Sequence, residues 1–412
     1  MREKPTSLSV DDVLAHLEQM TAPLPDAEPV ALLQALDRVL AEDVISPLNV
    51  PPHDNSAMDG YAFNGQSLPQ AQSLRVVGTA LAGQAWAGPV LPGQCVKIMT
   101  GAIMPPGLDT VVAQEMTQVQ GDQVHIPAGT LQRGDNRRLC GEDIQAGQVA
   151  LKAGTRLGPA ACGLLASLGL AQARVTRRLK VAYFSTGDEI LSLGQAPREG
   201  AVYDSNRYTV HSMLTRLGCI VLDMGVVRDE PALLEAAFRQ AAAQADVIIT
   251  SGGVSVGEAD FTKAMMKKLG DVAFWRIDMR PGRPMAVGRI HQGDRSAVLF
   301  GLPGNPVAVM VTFMAFVRPT LERMMGMQRP ALPLLKARSQ EVLRKKPGRT
   351  EYQRGIVSRD ALGQLQVITT GLQGSGVLSS MVQANGLIVL HHDQGTTQIG
   401  DWVDVMMFDG HL

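Results

Sequence analysis

The chain has 412 residues, 45% of them hydrophobic and 19% charged, and its 38 basic and 39 acidic side chains leave a formal net charge of -1. That balance excludes a general affinity for nucleic acid or for an anionic membrane surface, and the length suffices for roughly two to four domains. The four cysteines, Cys95, Cys140, Cys162 and Cys219, form no CxxC pair and match no zinc spacing. They are expected as buried thiols in a reducing cytoplasm.

The opening "MREKPTSLSV" carries charge but no apolar run, so no secretory signal is expected. Ser9 is placed to cap a helix through "VDDVLAHLEQM", and the prolines of "TAPLPDAEPV" end it. A second helical pattern covers "VALLQALDRVL" (30–40). From Pro47 to about Val149, short β-branched stretches are punctuated by Gly, Pro and Asn, which predicts an all-β section. Helix returns around 158–168.

From Leu179 strand and helix alternate. Strands are expected at 179–185, 220–227, 246–251, 272–282 and 296–306, with helices at 205–219, 230–245 and 261–270 and a long one ending near Met325. This predicts a doubly wound parallel sheet, whose ligands bind beyond the carboxyl ends of the strands. The apolar run "VAVMVTFMAFV" (307–317) is too short to cross a bilayer and reads as buried helix. After it the texture is β again, as in a small C-terminal barrel or sheet.

Four strand ends carry polar clusters. In "FSTGDEIL" (184–191), Asp188 and Glu189 are expected at a helix start, where a simple cap is the commoner explanation. Asp229 in "VVRDE" also precedes a helix. "TSGGVSVGEAD" (250–260) places Ser251, Gly252 and Gly253 after a strand, a turn able to cradle phosphate through backbone N–H groups. It lacks the GK[ST] of a P-loop and is not GxGxxG. In "GLPGNPVAV" (301–309), Asn305 and Pro306 suit a rigid helix start. Between the third and fourth, Arg276, Arg280 and Arg283 surround a Pro-Gly turn, and arginine forks suit tetrahedral oxyanions. Together these features suit an anionic ligand with a divalent cation. The β section adds "PPHDNSAMDGYAF" (51–63), "IMTGAIMPPGLDTVV" (98–112) and "GDNRRLCGEDI" (134–144), denser in polar groups than ordinary turns.

These stretches, with "FWRIDMRPGRP", "FGLPGNP" and "GRTEYQRG", resemble in order and spacing the molybdopterin molybdenumtransferase family, which includes MoeA and the E domain of gephyrin; the likeness spans about residues 8–410. The resemblance implies an α/β plus β multidomain fold. Its parts would be a discontinuous helical domain (1–46 and 147–178), an inserted β domain (47–146), a doubly wound α/β domain (179–327) and a C-terminal β barrel (328–412). It implies an enzyme of molybdenum cofactor biosynthesis that takes adenylylated molybdopterin and molybdate, uses Mg²⁺ and releases AMP. It further implies a cytoplasmic homodimer with active sites shared between subunits. Molybdopterin adenylyltransferase and molybdoenzyme maturation proteins would be its partners, with no nucleic acid and no membrane.

Carried over by motif, Asp59, Asp143, Glu189, Asp229 and Asp260 are the implied catalytic acids, with Glu189, Asp229 and Asp260 as metal ligands. Thr100, Ser251, Gly252, Gly253, Arg276, Arg280, Arg283, Pro303, Pro306, Arg354 and Ser375 are the implied substrate-binding set. Lysine is common in the family where this chain has Arg276, Arg280 and Arg283; charge is kept, and activity is expected to be retained. Two other readings compete. A non-catalytic scaffold is weakened by the full acid set. The sister adenylyltransferase has a loop resembling "TSGGTG", whereas Val254 follows the glycines here.

Overall fold

The computed structural model describes residues 7–68, 70–253, 261–328 and 333–408. The chain divides into two compact units, one comprising 1–28, 37–41 and 175–412, the other 29–36 and 42–174.

The first unit opens with α1 (Val10–Met20). Ser9 caps it as expected: its Oγ accepts the Asp12 N–H, while the Asp12 carboxylate accepts the Ser9 N–H in return. The central sheet is built from β1 (Lys180–Thr186), β2 (Ile220–Val227), β3 (Val247–Ser251), β4 (Gly270–Arg276), β5 (Pro284–Gln292) and β6 (Arg295–Leu302), in the order β2-β1-β3-β6-β5-β4. The first four of these in the sheet are parallel. β5 and β4 continue it antiparallel, so the expected parallel sheet ends in an antiparallel edge. β5 was not foreseen: its hairpin with β6 turns at Gly293, with φ +58°, within a stretch whose glycines and arginines dilute the strand pattern. The expected strand at 272–282 stops at Arg276, and Met279–Arg280 pairs instead with Thr350–Glu351.

Alternate side chains of the inner strands feed two cores, as strand geometry requires. Val181, Tyr183, Ile249 and Phe300 pack with Val210 and Leu214 of α2 (Ser205–Arg216) and with the long helical stretch after Asn305. Ala182, Phe184, Ile248 and Leu299 pack with Phe238 of α3 (Pro231–Gln244) and Met266 of α4 (Phe261–Leu269). Helices on both faces make the sheet doubly wound. The stretch 306–324 is helical and buried, with a π-helical segment at Phe313–Val317. Beyond it β7 (Leu335–Ser339), β8 (Thr350–Arg359), β9 (Leu365–Thr369), β10 (Gly386–Leu390) and β11 (Trp402–Met407) close into a five-stranded barrel, because β8 pairs with both β9 and β10.

The second unit centres on a six-stranded sheet containing Gly60–Phe63, Gln72–Ala80, Gln94–Ile98 and Thr110–Ala113, with a nine-residue helix at Pro159–Ser167. Its core is Phe63, Val112, Val124 and Ile126 on one side and Ala62, Val96, Ile98 and Val111 on the other. The expected second helix at 30–40 does not form. Ala27–Ala31 is a strand and Leu32–Gln34 a single 3-10 turn. The Leu32 N–H donates to Ala171 O at 2.9 Å, and Leu33 is fully exposed, so the apolar spacing there serves no helix face. Among the described residues no helix is long and apolar enough to cross a membrane. Cys95 and Cys219 are buried as expected, but Cys140 is exposed. It lies in a surface turn where its Sγ accepts from Asn49 Nδ2 and donates to Pro52 O.

Candidate functional site

Parallel pairing brings the carboxyl ends of β1, β3 and β6 into line: Ser185 stands opposite Ser251, and Ser251 opposite Leu302. The turns that leave these ends therefore meet. Gly252 has φ +88°, and a Cβ there would lie 2.5 Å from Thr186 O. Gly253 has φ +64°, and a Cβ would lie 2.6 Å from the Thr262 side chain. Both need glycine because neighbouring turns and α4 crowd them, as well as for their backbone conformation. The Gly252 N–H donates to Leu302 O at 3.3 Å, so that donor is already used at the sheet end. Ser251 is buried, with its hydroxyl bonded to Tyr183.

The acids gather on the same ends. Glu189 is exposed, and its carboxylate lies over Gly187, where a Cβ would stand 2.6 Å from Oε2. The expected helix after Glu189 is absent. Gly187, at φ +136°, starts a turn into the short strands Ile190–Leu191 and Val202–Tyr203, and the helix waits until Ser205. Asp188 Oδ1 accepts the Asp229 N–H at 3.4 Å, and Asp229 Oδ1 accepts from Thr262 Oγ1 at 3.3 Å. Asp229 thus ties three chain segments together, and Glu230 rather than Asp229 precedes the first turn of α3. Asp260, Val254 and Glu258 lie outside the described residues. Among the described residues no group of three or more His, Cys, Asp or Glu forms a metal cage. Mg²⁺ needs no such cage, since it binds through one or two carboxylates plus waters and substrate phosphates.

Beyond the end of β6 lies a cavity of about 490 Å³ whose wall includes Arg280, Arg283, Pro303, Asn305 and Ser375. Asn305 stands at the start of the helix at Pro306, but its amide donates to Ser375 Oγ at 3.0 Å instead of capping the helix. Pro306 holds the first helical position and fixes that wall. Arg276 sits at the end of β4 opposite Pro284 and does not line this cavity. Arg354 is 1% exposed. Its guanidinium donates to Ser380 Oγ and to the carbonyls of Leu372 and Gly374, so it holds up the turn that carries Ser375. Burial, and then the nearby Arg280 charge, pull its pKa below the ordinary arginine value.

Arg280 is also on the wall of a second cavity, again about 490 Å³, shared with Arg344, Lys345, Lys346, Arg349 and Glu351. Lys345 is buried and donates to Gln394 O at 2.6 Å and His392 O at 3.1 Å. Burial holds its pKa below the usual lysine value. Glu351 is buried and neutralised by Arg349 at 2.7 Å, which leaves the pocket strongly cationic.

In the β unit the three polar stretches converge. Ser56 N–H donates to Ala102 O, Gly101 N–H to Ser56 O, Ala57 N–H to Asn136 O, and Cys140 N–H to Asp54 Oδ1. Asp59 Oδ1 accepts both the Thr100 backbone N–H and the Thr100 hydroxyl, each at 2.7 Å. The backbone N–H first, then the hydroxyl, hold the Asp59 carboxyl below the usual carboxylate range. Asp143 is exposed on the neighbouring turn, with its N–H on Val50 O at 3.0 Å.

Residues 8–169 match the MoeA N-terminal region (domain I and II), 182–323 a probable molybdopterin binding domain, and 336–408 the MoeA C-terminal region (domain IV). A molybdopterin molybdenumtransferase of Haemophilus influenzae is 42% identical over 96% of this chain and 97% of its own length. The chain belongs to the molybdopterin molybdenumtransferase family. As a member it is a transferase of molybdenum cofactor biosynthesis. A Nostoc relative of the same name is 38% identical over 93% of this chain and 88% of that protein. Gephyrin of Dictyostelium discoideum is 30% identical over 93% of this chain and 59% of that protein. Among solved structures, the molybdopterin biosynthesis MoeA protein of Pyrococcus horikoshii matches with a TM-score of 0.84 at 26% identity, covering 98% of this chain and all of that one.

For this molybdenumtransferase-family chain, the second cationic pocket was missed from sequence. Its signal is the basic run "LRKKPGR" (343–349), but only the pairing of Met279–Arg280 with β8 brings that run beside Arg280.

Proposed function

We propose that this enzyme binds adenylylated molybdopterin and molybdate, and transfers molybdenum to the pterin dithiolene with Mg²⁺-dependent release of AMP. The observation that carries this reading is the pair of cationic cavities joined at Arg280, one of them walled by Pro303 just beyond the carboxyl end of β6. Arg280, Arg283 and Ser375 would orient one oxyanion. Arg344 and Lys346 would neutralise a further anionic group, since guanidinium forks match tetrahedral oxyanions. The turn at Gly252 and Gly253 would face the pyrophosphate to be cleaved. Pro303 and Pro306 keep the wall rigid, so these groups need little rearrangement during turnover.

Mg²⁺, held by Glu189 and Asp229 with Asp260 as a further candidate, would neutralise the phosphates and stabilise the departing AMP. Asp59, kept ionised by Thr100, would act with Asp143 as the β unit's contribution to the same reaction. A homodimer is the form in which both sets serve. The test is AMP release by the purified protein given adenylylated molybdopterin and molybdate, with and without a chelator. The reading predicts release that stops on removal of Mg²⁺ and consumes no free ATP. Release at the background rate, or a requirement for ATP, overturns it.

A further inference from the structure

Tyr183, on β1, is fully buried, and its phenol oxygen lies 2.9 Å from Ser185 Oγ and 2.7 Å from Ser251 Oγ; the two serine oxygens are 3.3 Å apart. Ser185 is 1% exposed and Ser251 3%. Tyr183 and Ser185 are two apart on one strand, so they share a face, and Ser251 is the register partner of Ser185 on β3. Each hydroxyl has one proton to give and lone pairs to receive. The three can therefore satisfy one another in a closed ring, with no proton left over for an anionic ligand.

We propose that Tyr183, Ser185 and Ser251 form a buried hydroxyl clamp that fixes the turns at Thr186–Glu189 and Gly252–Gly253, and that Ser251 positions the substrate's phosphates without touching them. The clamp sits one residue before both turns. Gly252 is already so close to Thr186 O that a Cβ would stand 2.5 Å away, so a small slip of β1 against β3 displaces both turns together. Without the phenol oxygen, the two serines keep only a single long bond of 3.3 Å. Burial first, opposed by the two serine bonds, pushes the Tyr183 pKa far up. The phenol thus stays neutral and keeps its proton for the bridge.

This inference rests on the reading that the glycine turn faces the phosphate released as AMP. The experiment titrates AMP into the full-length protein with Mg²⁺ and measures steady-state turnover for Tyr183→Phe, Ser185→Ala, Ser251→Ala and the double Tyr183→Phe/Ser251→Ala. Tyr183→Phe and Ser251→Ala each weaken AMP binding about three- to tenfold, the scale of one buried hydrogen bond, and raise KM more than they lower kcat. The double is no worse than the weaker-binding single, because one unit is broken only once. Ser185→Ala shifts AMP binding in the same direction and keeps the test alive should Tyr183→Phe fail to fold. A Ser251→Ala loss far above that of Tyr183→Phe, with additive effects in the double, makes Ser251 a direct ligand and overturns the clamp. Variants that melt earlier but bind AMP as wild type does also overturn it. Wild-type protein that neither binds nor releases AMP overturns the functional reading and the clamp with it.

Discussion

In the α/β-and-barrel unit the candidate groups stand on turns rooted in fully buried strand ends, while in the β unit Asp59 and Thr100 stand on surface turns held by a lattice of backbone bonds. The first arrangement gathers positive charge and glycine turns around cavities. The second keeps one carboxylate ionised in the open, by giving it two donors. The difference teaches where each site is vulnerable. A buried footing transmits strain from distant substitutions, because a close-packed interior has no slack. An exposed carboxylate depends on its immediate donors and little else.

The comparison breaks first at the acids. Glu189→Gln or Asp229→Asn is expected to lower AMP release about 100-fold or more, the scale of losing a group that stabilises developing charge. Single-turnover measurement checks this, and an unchanged rate removes that acid from the reaction. Asp59→Asn is expected to lower the rate roughly 10-fold or more on the same scale, while leaving the melting temperature almost unmoved, since the side chain is exposed. A large fall in melting temperature would show that Asp59 serves the fold instead.

Arg280→Ala should raise the half-saturating molybdate concentration about tenfold through loss of charge-assisted bonds, with Arg280→Lys recovering most of it. Equal damage from both would show that the planar fork is essential. Arg354→Met should cost about 1–3 kcal/mol of stability by stranding the carbonyls of Leu372 and Gly374, which denaturant unfolding measures. The smallest effect is on acid stability. Burial raises the Asp246 pKa, but Arg177 and the Lys180 N–H together pull it below the usual carboxylate value. A depressed carboxylate contributes above its unfolded pKa of about 3.9 and loses that contribution as pH falls through the lower folded value. Melting temperature should therefore hold from neutrality to about pH 5 and drop below about pH 4, with a shallower drop in Asp246→Asn.

Much of this was legible in residue order. Ser9 announced its helix, and the strand–helix alternation after Leu179 announced the wound sheet. The polar stretches around Asp59, Thr100 and Asn136 stood out as too dense for turns, and their backbones do interlock. The misreadings share a cause. "VALLQALDRVL" has helical spacing, but Leu33 faces water, and spacing cannot say which side of a segment has a partner. Asp188 and Glu189 had cap chemistry, yet Gly187 turned the chain away from a helix. Arg354 was placed near the anion site by its motif, and spacing could not show that it is buried, with its guanidinium beneath the turn that carries Ser375.

The sequence by itself determined the wound sheet and the residue types at the strand ends, because periodicity, caps and turn residues are local properties, and the order and spacing of its motifs carried the family resemblance. Only the tertiary structure decided which of those residues meet. Arg280 joins a basic run far along the chain because a two-residue strand pairs with the barrel. Ser251 withdraws into a buried ring because Tyr183 reaches it from the neighbouring strand. Both are long-range pairings fixed by sheet register, and register is set by the whole packed core rather than by any short stretch.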